Sequence, residues 1–256
     1  MSTLKDDVAE SLGGKREILP YLPELLADLE ELGGSSELMV ELIRQLNLNF
    51  NSETTCLDLG CGKGLISINI AKQFGIKVHG IDGLLPFIKH ARESAAKLEQ
   101  SHLCTFEHAD IKYKIAGLKD YDIVILSAVG HLWGDFHNTL SALKDCTKEN
   151  GIIIIDDGYT LDDEGNEHLY QSRKNAIRDI SDCDLEIISE EVISDEEIKQ
   201  TNESNTRLIT QRAEELKKKH PEKSKLFDEY INRQQTETQL FGTKIKCVVW
   251  VLKKKK

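Results

Sequence analysis

The sequence lacks the features that mark membrane, secreted and repeat proteins. Among its 256 residues there is no run of 18 apolar residues, and the first residues lack the apolar core of a signal peptide. It also lacks an internal repeat and a low-complexity linker. We therefore expect a cytoplasmic protein without a membrane segment, folded as one domain over residues 1–256.

The sequence also lacks residues spaced as metal ligands, and it lacks a net positive charge. The six cysteines form no C-x-x-C pair, and no cluster of histidine and cysteine has zinc-ligand spacing, so we expect free thiols and no metal site. The formal net charge is -11, which repels phosphate backbones and argues against a nucleic-acid partner. We interpret the basic tail Lys253–Lys256 as a solvated chain end.

Strand-like and helix-like segments alternate from Thr54 onward. Apolar runs that are almost continuous are typical of strands buried on both faces of a parallel sheet. The pattern predicts strands over residues 55–59, 77–81, 104–108, 122–126 and 151–156, with helices over 65–74, 86–99 and 132–147. The fold class is therefore α/β.

Two helical additions flank this alternating region. Residues 1–50 form a predicted N-terminal helical cap, with a helix over 21–32 that Gly33–Gly34 ends and a second helix that Ser36 caps and that continues to about Leu46. The core is predicted over 51–193 and 242–256, and it includes a helix over 167–180 and strands over 185–189 and 243–252. Residues 194–241 form a predicted helical lid insertion, which begins at Ser194 and is broken at Pro221.

The segment LDLGCGKG at 57–64 indicates a nucleotide-type ligand. A buried strand enters a loop with glycines at 60, 62 and 64, where a ligand can approach the backbone and the start of the next helix. The spacing differs from the dinucleotide pattern G-x-G-x-x-G, and Asp58 would repel a pyrophosphate. Asp58 suits a ligand with a positive group, such as the amino end of S-adenosylmethionine, and Asp82 lies where a carboxylate can accept from ribose hydroxyls.

Four signatures in the expected order resemble those of class I, Rossmann-like methyltransferases that depend on S-adenosylmethionine. DLGCGKG at 58–64 resembles the first, D-x-G-C-G-x-G, with Lys63 where threonine is common. IDG at 81–83, HADI at 108–111 and YDIVILS at 121–127 resemble the next three, and NGIIII at 150–155 resembles the strand that follows. The cofactor-binding residues that the resemblance implies are Asp58, Gly60, Cys61, Gly62, Asp82, Gly83, Leu84, Asp110, Ile111 and Ser127.

The resemblance also implies a fold and a reaction. The fold would be a seven-stranded, mostly parallel, Rossmann-like sheet, with the last strand inserted antiparallel between two neighbours. The insertion and the N-terminal helices are similar to the lids and roofs of small-molecule methyltransferases such as the quinone-biosynthesis C-methyltransferases. We therefore expect in-line methyl transfer from S-adenosylmethionine to a small-molecule acceptor, with both additions over the carboxyl edge of the sheet.

The candidate catalytic residues are His131, Asp156 and Tyr159. His131 matches the first histidine of a family "LHH" pattern but suits a packing role equally, and Asp156, Asp157 and Tyr159 follow the fifth strand or continue a solvated acidic loop. An amine or hydroxyl acceptor would need a base, whereas an enolate would not.

Two other functions stay open, a non-catalytic S-adenosylmethionine-binding regulator and a protein methyltransferase. An N/D-P-P-Y/F tetrapeptide, which relatives use for base and glutamine amines, is lacking.

Overall fold

The computed structural model describes residues 3–130, 132–161, 170–241 and 243–255, and a seven-stranded sheet lies at its centre. The strands are β1 (Thr55–Leu59), β2 (Lys77–Asp82), β3 (Cys104–His108), β4 (Tyr121–Ser127), β5 (Thr147–Thr160), β6 (Leu185–Val192) and β7 (Ile245–Lys254). The helices are α1 (Leu4–Ser11), α2 (Leu22–Leu25), α3 (Ser36–Gln45), α4 (Leu65–Phe74), α5 (Leu85–Lys97), α6 (Ile111–Lys114), α7 (Phe136–Cys146), α8 (Arg173–Asp182), α9 (Asp195–Lys219) and α10 (Ser224–Leu240).

The strand order is β3-β2-β1-β4-β5-β7-β6, and the predicted fold class is confirmed. The first five strands pair in parallel, while β7 lies antiparallel between β5 and β6. Because the parallel strands are joined by helices that cross back over the sheet, their carboxyl ends meet at one edge. The loops after β1, β2, β4 and β5 therefore lie side by side there.

Both faces of the sheet are covered by apolar side chains. Neighbouring residues on a strand point to opposite faces, so Leu57 and Val124 belong to one buried cluster while Cys56 and Ile123 belong to the other. Helices α7 and α8 cover the first face, and α3, α4 and α5 cover the second. This double coverage explains why the strands are almost continuously apolar.

A third hydrophobic cluster joins the two helical additions. It contains residues from the N-terminal segment and from α9 and α10, together with Phe87 of α5: Ile18, Leu22, Leu25, Leu26, Leu29, Phe87, Ile209, Ala213, Leu216, Phe227, Tyr230 and Ile231. Arg212 strengthens the junction through two hydrogen bonds to the carboxylate of Asp28, at 2.6 and 2.5 Å. The additions are thus packed on each other as well as on the sheet.

The predicted helix over residues 21–32 is wrong. Only the single turn α2 is helical there, and the chain then bends before Gly33. The backbone carbonyls of Leu26, Ala27 and Leu29 accept hydrogen bonds from the ammonium group of Lys63, which lies more than 30 residues further along the chain. A tertiary contact therefore replaces the helical hydrogen bonds that the apolar spacing predicts.

Several helix starts differ from the predictions by a few residues. Ser35, not Ser36, caps α3 by accepting from the amide of Leu38 at 3.3 Å. Helix α7 begins after the cap Asp135, and α8 begins at Arg173. Helix α1 was not predicted, although Thr3 and Asp6 have the spacing of a capping box. Ser194 caps α9 as predicted, by accepting from the amide of Glu197.

No helix in the described parts of the chain is both long and apolar enough to cross a membrane.

We predict that Phe227→Ala weakens the third cluster more than the sheet. The Phe227 ring is fully buried, and its removal leaves a cavity that costs about 3–5 kcal/mol of unfolding free energy. Hydrogen exchange should accelerate at residues 16–29 and 209–231 before it accelerates in the strands. Lys225→Ala, at an exposed position of the same helix, is the control and should leave exchange unchanged. Equal acceleration throughout the sheet would contradict a separate cluster.

Candidate active site

The loop between β1 and α4 has the backbone shape that its glycines permit. Gly60, Gly62 and Gly64 have φ angles of 73°, 53° and 82°, which lie in the left-handed region. A Cβ atom on Gly60 would lie 2.3 Å from a methyl carbon of Val129, so only glycine fits at that position. The amides of Gly60 and Cys61 both donate to the carbonyl of Ile81, which joins this loop to the end of β2.

Asp82, at the end of β2, holds the loop from the other side. One carboxylate oxygen accepts from the amide of Gly62 at 2.9 Å, and the other accepts from the amide of Leu84 at 2.7 Å. Burial raises the pKa of Asp82, and the hydrogen bonds from Leu84 and Gly62 oppose this rise. Each carboxylate oxygen keeps further acceptor capacity for a ligand hydroxyl.

The Asp58 carboxylate is directed at the following helix. The hydroxyl of Ser67 in α4 donates to it at 2.5 Å, and the side chain is buried. Burial raises the pKa of Asp58 to about 6, although the Ser67 hydrogen bond lowers it. Burial and the charges of Asp58 and Asp82 also raise the pKa of the Cys61 thiol, so this thiol stays protonated near neutral pH.

Nine of the ten predicted cofactor residues line one cavity of about 100 Å³: Asp58, Gly60, Cys61, Gly62, Asp82, Gly83, Asp110, Ile111 and Ser127. We call it the glycine-loop cavity. Leu84 contributes its backbone amide, while its side chain packs against the third cluster. Asp110 caps α6 by accepting from the amide of Lys112 at 3.0 Å. On α1, Val8 lies over Gly83, where a Cβ atom would come within 2.5 Å of a Val8 methyl carbon.

A larger cavity of about 790 Å³ adjoins the first, and we call it the lid cavity. The two cavities share wall residues that include Leu12, Leu32 and Ala128. The lid cavity has walls from the N-terminal segment, from the carboxyl ends of β4 and β5, and from α9 and α10. Both helical additions therefore cover the carboxyl edge of the sheet.

The structure separates the three candidate catalytic residues. Asp156 lines the lid cavity, where its carboxylate accepts from the Ser127 hydroxyl at 2.9 Å. Tyr159 is not among the wall residues of either cavity, because its ring is buried in the core beside Trp250, with ring centroids 6.2 Å apart. His131 lies outside the described residues.

Comparison with known proteins identifies the family. A family model described as "Methyltransferase domain" matches residues 50–246, which is most of the chain. The chain belongs to the class I, S-adenosylmethionine-dependent methyltransferase family. The match spans β1 to β6 and the helical insertion, and it ends at the start of β7.

Individual relatives agree with this assignment at low identity. The chain is 26% identical over 117 residues to a malonyl-[acyl-carrier protein] O-methyltransferase of Priestia megaterium, covering 45% of this chain and 41% of that protein. A methyltransferase of Geobacter sulfurreducens, solved with S-adenosylhomocysteine, has a TM-score of 0.76 at 16% identity, covering 92% of this chain and 98% of that one. The YjhP structure of Escherichia coli has the same TM-score and identity, covering 91% and 99%. These two structures establish the similarity of the fold.

Sequence reasoning assigns no role to Lys63, whose side chain joins the glycine loop to the N-terminal segment. Its ammonium group is buried and donates to the carbonyls of Leu26, Ala27 and Leu29 at 2.7, 3.0 and 2.6 Å. Burial lowers its pKa, whereas the charges of Glu30 and Asp28 raise it. The glycine loop is thereby attached to the N-terminal segment that roofs it. The signal in the sequence is the lysine at a position where the family commonly has threonine.

Asp156 is the most electrostatically perturbed carboxyl group of the lid cavity. Burial raises its pKa to about 7, the Ser127 hydrogen bond lowers it, and the charge of Asp157 raises it. Tyr170 and Cys247 line the same cavity, and burial together with the charges of Asp156 and Asp157 raises the pKa of both. A pKa of about 7 lies in the range that suits general acid–base catalysis near neutral pH.

We predict that Lys63→Met weakens the attachment of the N-terminal segment to the glycine loop. Three carbonyls lose the hydrogen bond from the ammonium group, and among the described residues only that of Leu26 keeps a backbone donor, the amide of Leu29, so the unfolding free energy should fall by about 2–4 kcal/mol. Hydrogen exchange should accelerate at residues 26–34. Lys72→Met, at an exposed position of α4, is the matched control and should change neither quantity. Equal effects of the two substitutions would show that the Lys63 contacts do not hold the segment.

We predict that Asp156→Asn stabilises the protein only at high pH. The folded-state pKa is about 7 and lies above the unfolded value near 3.8, so ionisation of this carboxyl group opposes folding. The variant should therefore have the same unfolding free energy as the wild type below pH 4. Its advantage in unfolding free energy should grow between pH 4 and 7 and reach about 2–4 kcal/mol at pH 8. Urea denaturation at pH 4 and pH 8 checks this. A constant difference across that range would contradict the raised pKa.

Proposed function

We propose that the protein transfers a methyl group from S-adenosylmethionine to a small molecule bound in the lid cavity. The observation that carries the proposal is the position of this cavity, which adjoins the glycine-loop cavity and is walled by both helical additions. A site of this kind holds donor and acceptor together and excludes bulk water.

The residues of the glycine-loop cavity suit this cofactor. Gly60 and Gly62 line the cavity without side chains, so a ligand can approach their backbone, and Asp82 offers two carboxylate oxygens to a ribose diol. Asp110 lies where the resemblance assigns the adenine amino group. S-adenosylmethionine supplies an activated methyl group, so the protein needs to bind, orient and desolvate the reacting groups.

The N-terminal segment forms one wall of the glycine-loop cavity. Val8 and Leu4 of α1 lie directly over Gly83 and occupy the side of the cavity next to Asp82. Bound cofactor would therefore contact this segment.

The shape and charge of the site favour a small acceptor over a macromolecule. A protein methyltransferase needs an open cleft for a peptide, whereas the lid cavity is walled by α9, α10 and the N-terminal segment. The net charge of -11 disfavours nucleic acid. A non-catalytic regulator would have a blocked acceptor space, and a cavity of about 790 Å³ beside the glycine loop argues against that.

We predict that the purified protein binds S-adenosylmethionine and S-adenosylhomocysteine in calorimetric titrations and does not bind NAD. Asp82→Ala removes hydrogen bonds to the ribose and to two loop amides, so affinity for both sulfur ligands should fall by about 100-fold. Glu186→Ala, at a half-exposed ion pair with Lys253 on the far side of the sheet, should bind as the wild type does. Binding of NAD in place of the sulfur ligands would refute the proposal.

A further inference from the structure

The lid cavity has a set of carboxyl groups of its own. Asp156, Asp157 and Glu237 line this cavity and are not wall residues of the glycine-loop cavity. Among the described wall residues, Lys112 is the basic one, and its ammonium group lies 3.5 Å from the carboxylate of Asp7. The described wall of the cavity therefore has more carboxyl groups than basic groups, and the residues assigned to the cofactor do not account for this excess.

These three carboxyl groups come from two distant parts of the chain and converge. Asp156 and Asp157 lie on β5, while Glu237 lies near the end of α10. Burial raises the pKa of the Cys247 thiol to about 12, and the charges of Asp156, Asp157, Asp195 and Glu237 contribute to the rise. Burial and the charges of Asp157, Glu237, Cys247 and Asp156 likewise raise the pKa of the Tyr170 hydroxyl.

Glu237 lines the cavity and is exposed there. Its side chain has accessible surface, yet burial raises its pKa, while the charge of Arg233 lowers it. The ionised form of a carboxylate in such a position is stabilised when a cation enters the cavity beside it. Asp157 has one carboxylate oxygen committed to the amide of Gly158 at 2.8 Å, which fixes its orientation.

Aromatic rings complete the wall around the carboxyl groups. Tyr170 and Phe241 contact edge to face, with ring centroids 5.9 Å apart, and both line the cavity. The Trp133 ring is fixed by a hydrogen bond from its indole N–H to the carbonyl of Lys112 at 3.2 Å. Carboxylates together with aromatic faces are the surroundings that organic ammonium groups prefer.

We propose that the methyl acceptor is an amine, which binds as its ammonium ion among Asp156, Asp157 and Glu237 and is methylated on nitrogen. This inference rests on the proposed function and names its substrate class. A phosphate or carboxylate acceptor would be repelled by the same three groups. A neutral acceptor would gain no attraction between opposite charges from these groups.

The reaction is balanced in protons, bonds and charge with Asp156 as the proton acceptor. The ammonium ion gives one proton to the Asp156 carboxylate, and its nitrogen gains a lone pair. That lone pair forms the new N–C bond, the C–S bond of the donor breaks, and sulfur keeps the electron pair. The positive charge moves from sulfur to the methylated nitrogen, and the products are S-adenosylhomocysteine and a methylammonium ion. A carboxyl group with a pKa of about 7 is suited to the proton transfer.

Three probes of similar size and different charge test the inference: benzylamine, benzyl alcohol and benzoate. Their binding to the full-length protein is measured at pH 8 by calorimetry, with and without saturating S-adenosylhomocysteine. Benzylamine should bind at least about tenfold more tightly than benzyl alcohol, and benzoate should bind least. Glu237→Gln keeps the shape and removes one charge, so benzylamine affinity should fall by roughly tenfold while benzyl alcohol affinity stays unchanged.

Glu229→Gln is the matched control, because it makes the same substitution in the same helix at an ion pair with Lys15 and outside the cavity wall. It should bind all three probes as the wild type does. If benzyl alcohol or benzoate binds as well as benzylamine, or if no probe binds, the amine inference is wrong. It is also wrong if the two glutamine variants behave alike. Failure to bind S-adenosylhomocysteine would instead refute the proposed function, while the probe order without it still decides the amine inference.

Discussion

A buried ammonium group needs oxygen acceptors on all sides, because desolvation of an unpaired charge costs far more than one hydrogen bond returns. The Lys63 side chain meets this requirement with three carbonyls of the N-terminal segment. Those carbonyls are available only because the chain leaves the helical path after Leu25. The lysine thus determines the backbone of the roof, and the roof in turn closes one side of both cavities.

The glycine loop could be predicted because its geometry is local. Gly60, Gly62 and Gly64 need left-handed φ angles, and a buried strand before them with a helix after them is readable from a short window. Asp82 and Asp110 both line the cavity because each lies at or just after the end of a strand, at the same edge of the sheet. The sheet alone brings these residues to one edge, and the resemblance to the family adds the part of the cofactor that each would bind.

The errors arise where distant parts of the chain meet. A strand that ends at Asp156, as the sequence pattern predicts, would leave Tyr159 in a loop at the carboxyl edge. In the structure β5 continues to Thr160, because β7 supplies an antiparallel partner for each residue of this extension. Tyr159 consequently lies in the sheet core beside Trp250. Glu237 was likewise not foreseen, since nothing near it in the sequence relates α10 to the end of β5.

The shared cluster of the two helical additions has a consequence for biosynthesis. Leu22 and Leu25 leave the ribosome early, yet they pack against Phe227 and Tyr230, which are made about 200 residues later. During translation the first thirty residues therefore have an apolar surface without its final cover. They complete their packing only when α10 emerges, shortly before β7 enters the centre of the sheet. The cap is thus made before the strands of the sheet, yet its packing is completed only as the sheet closes.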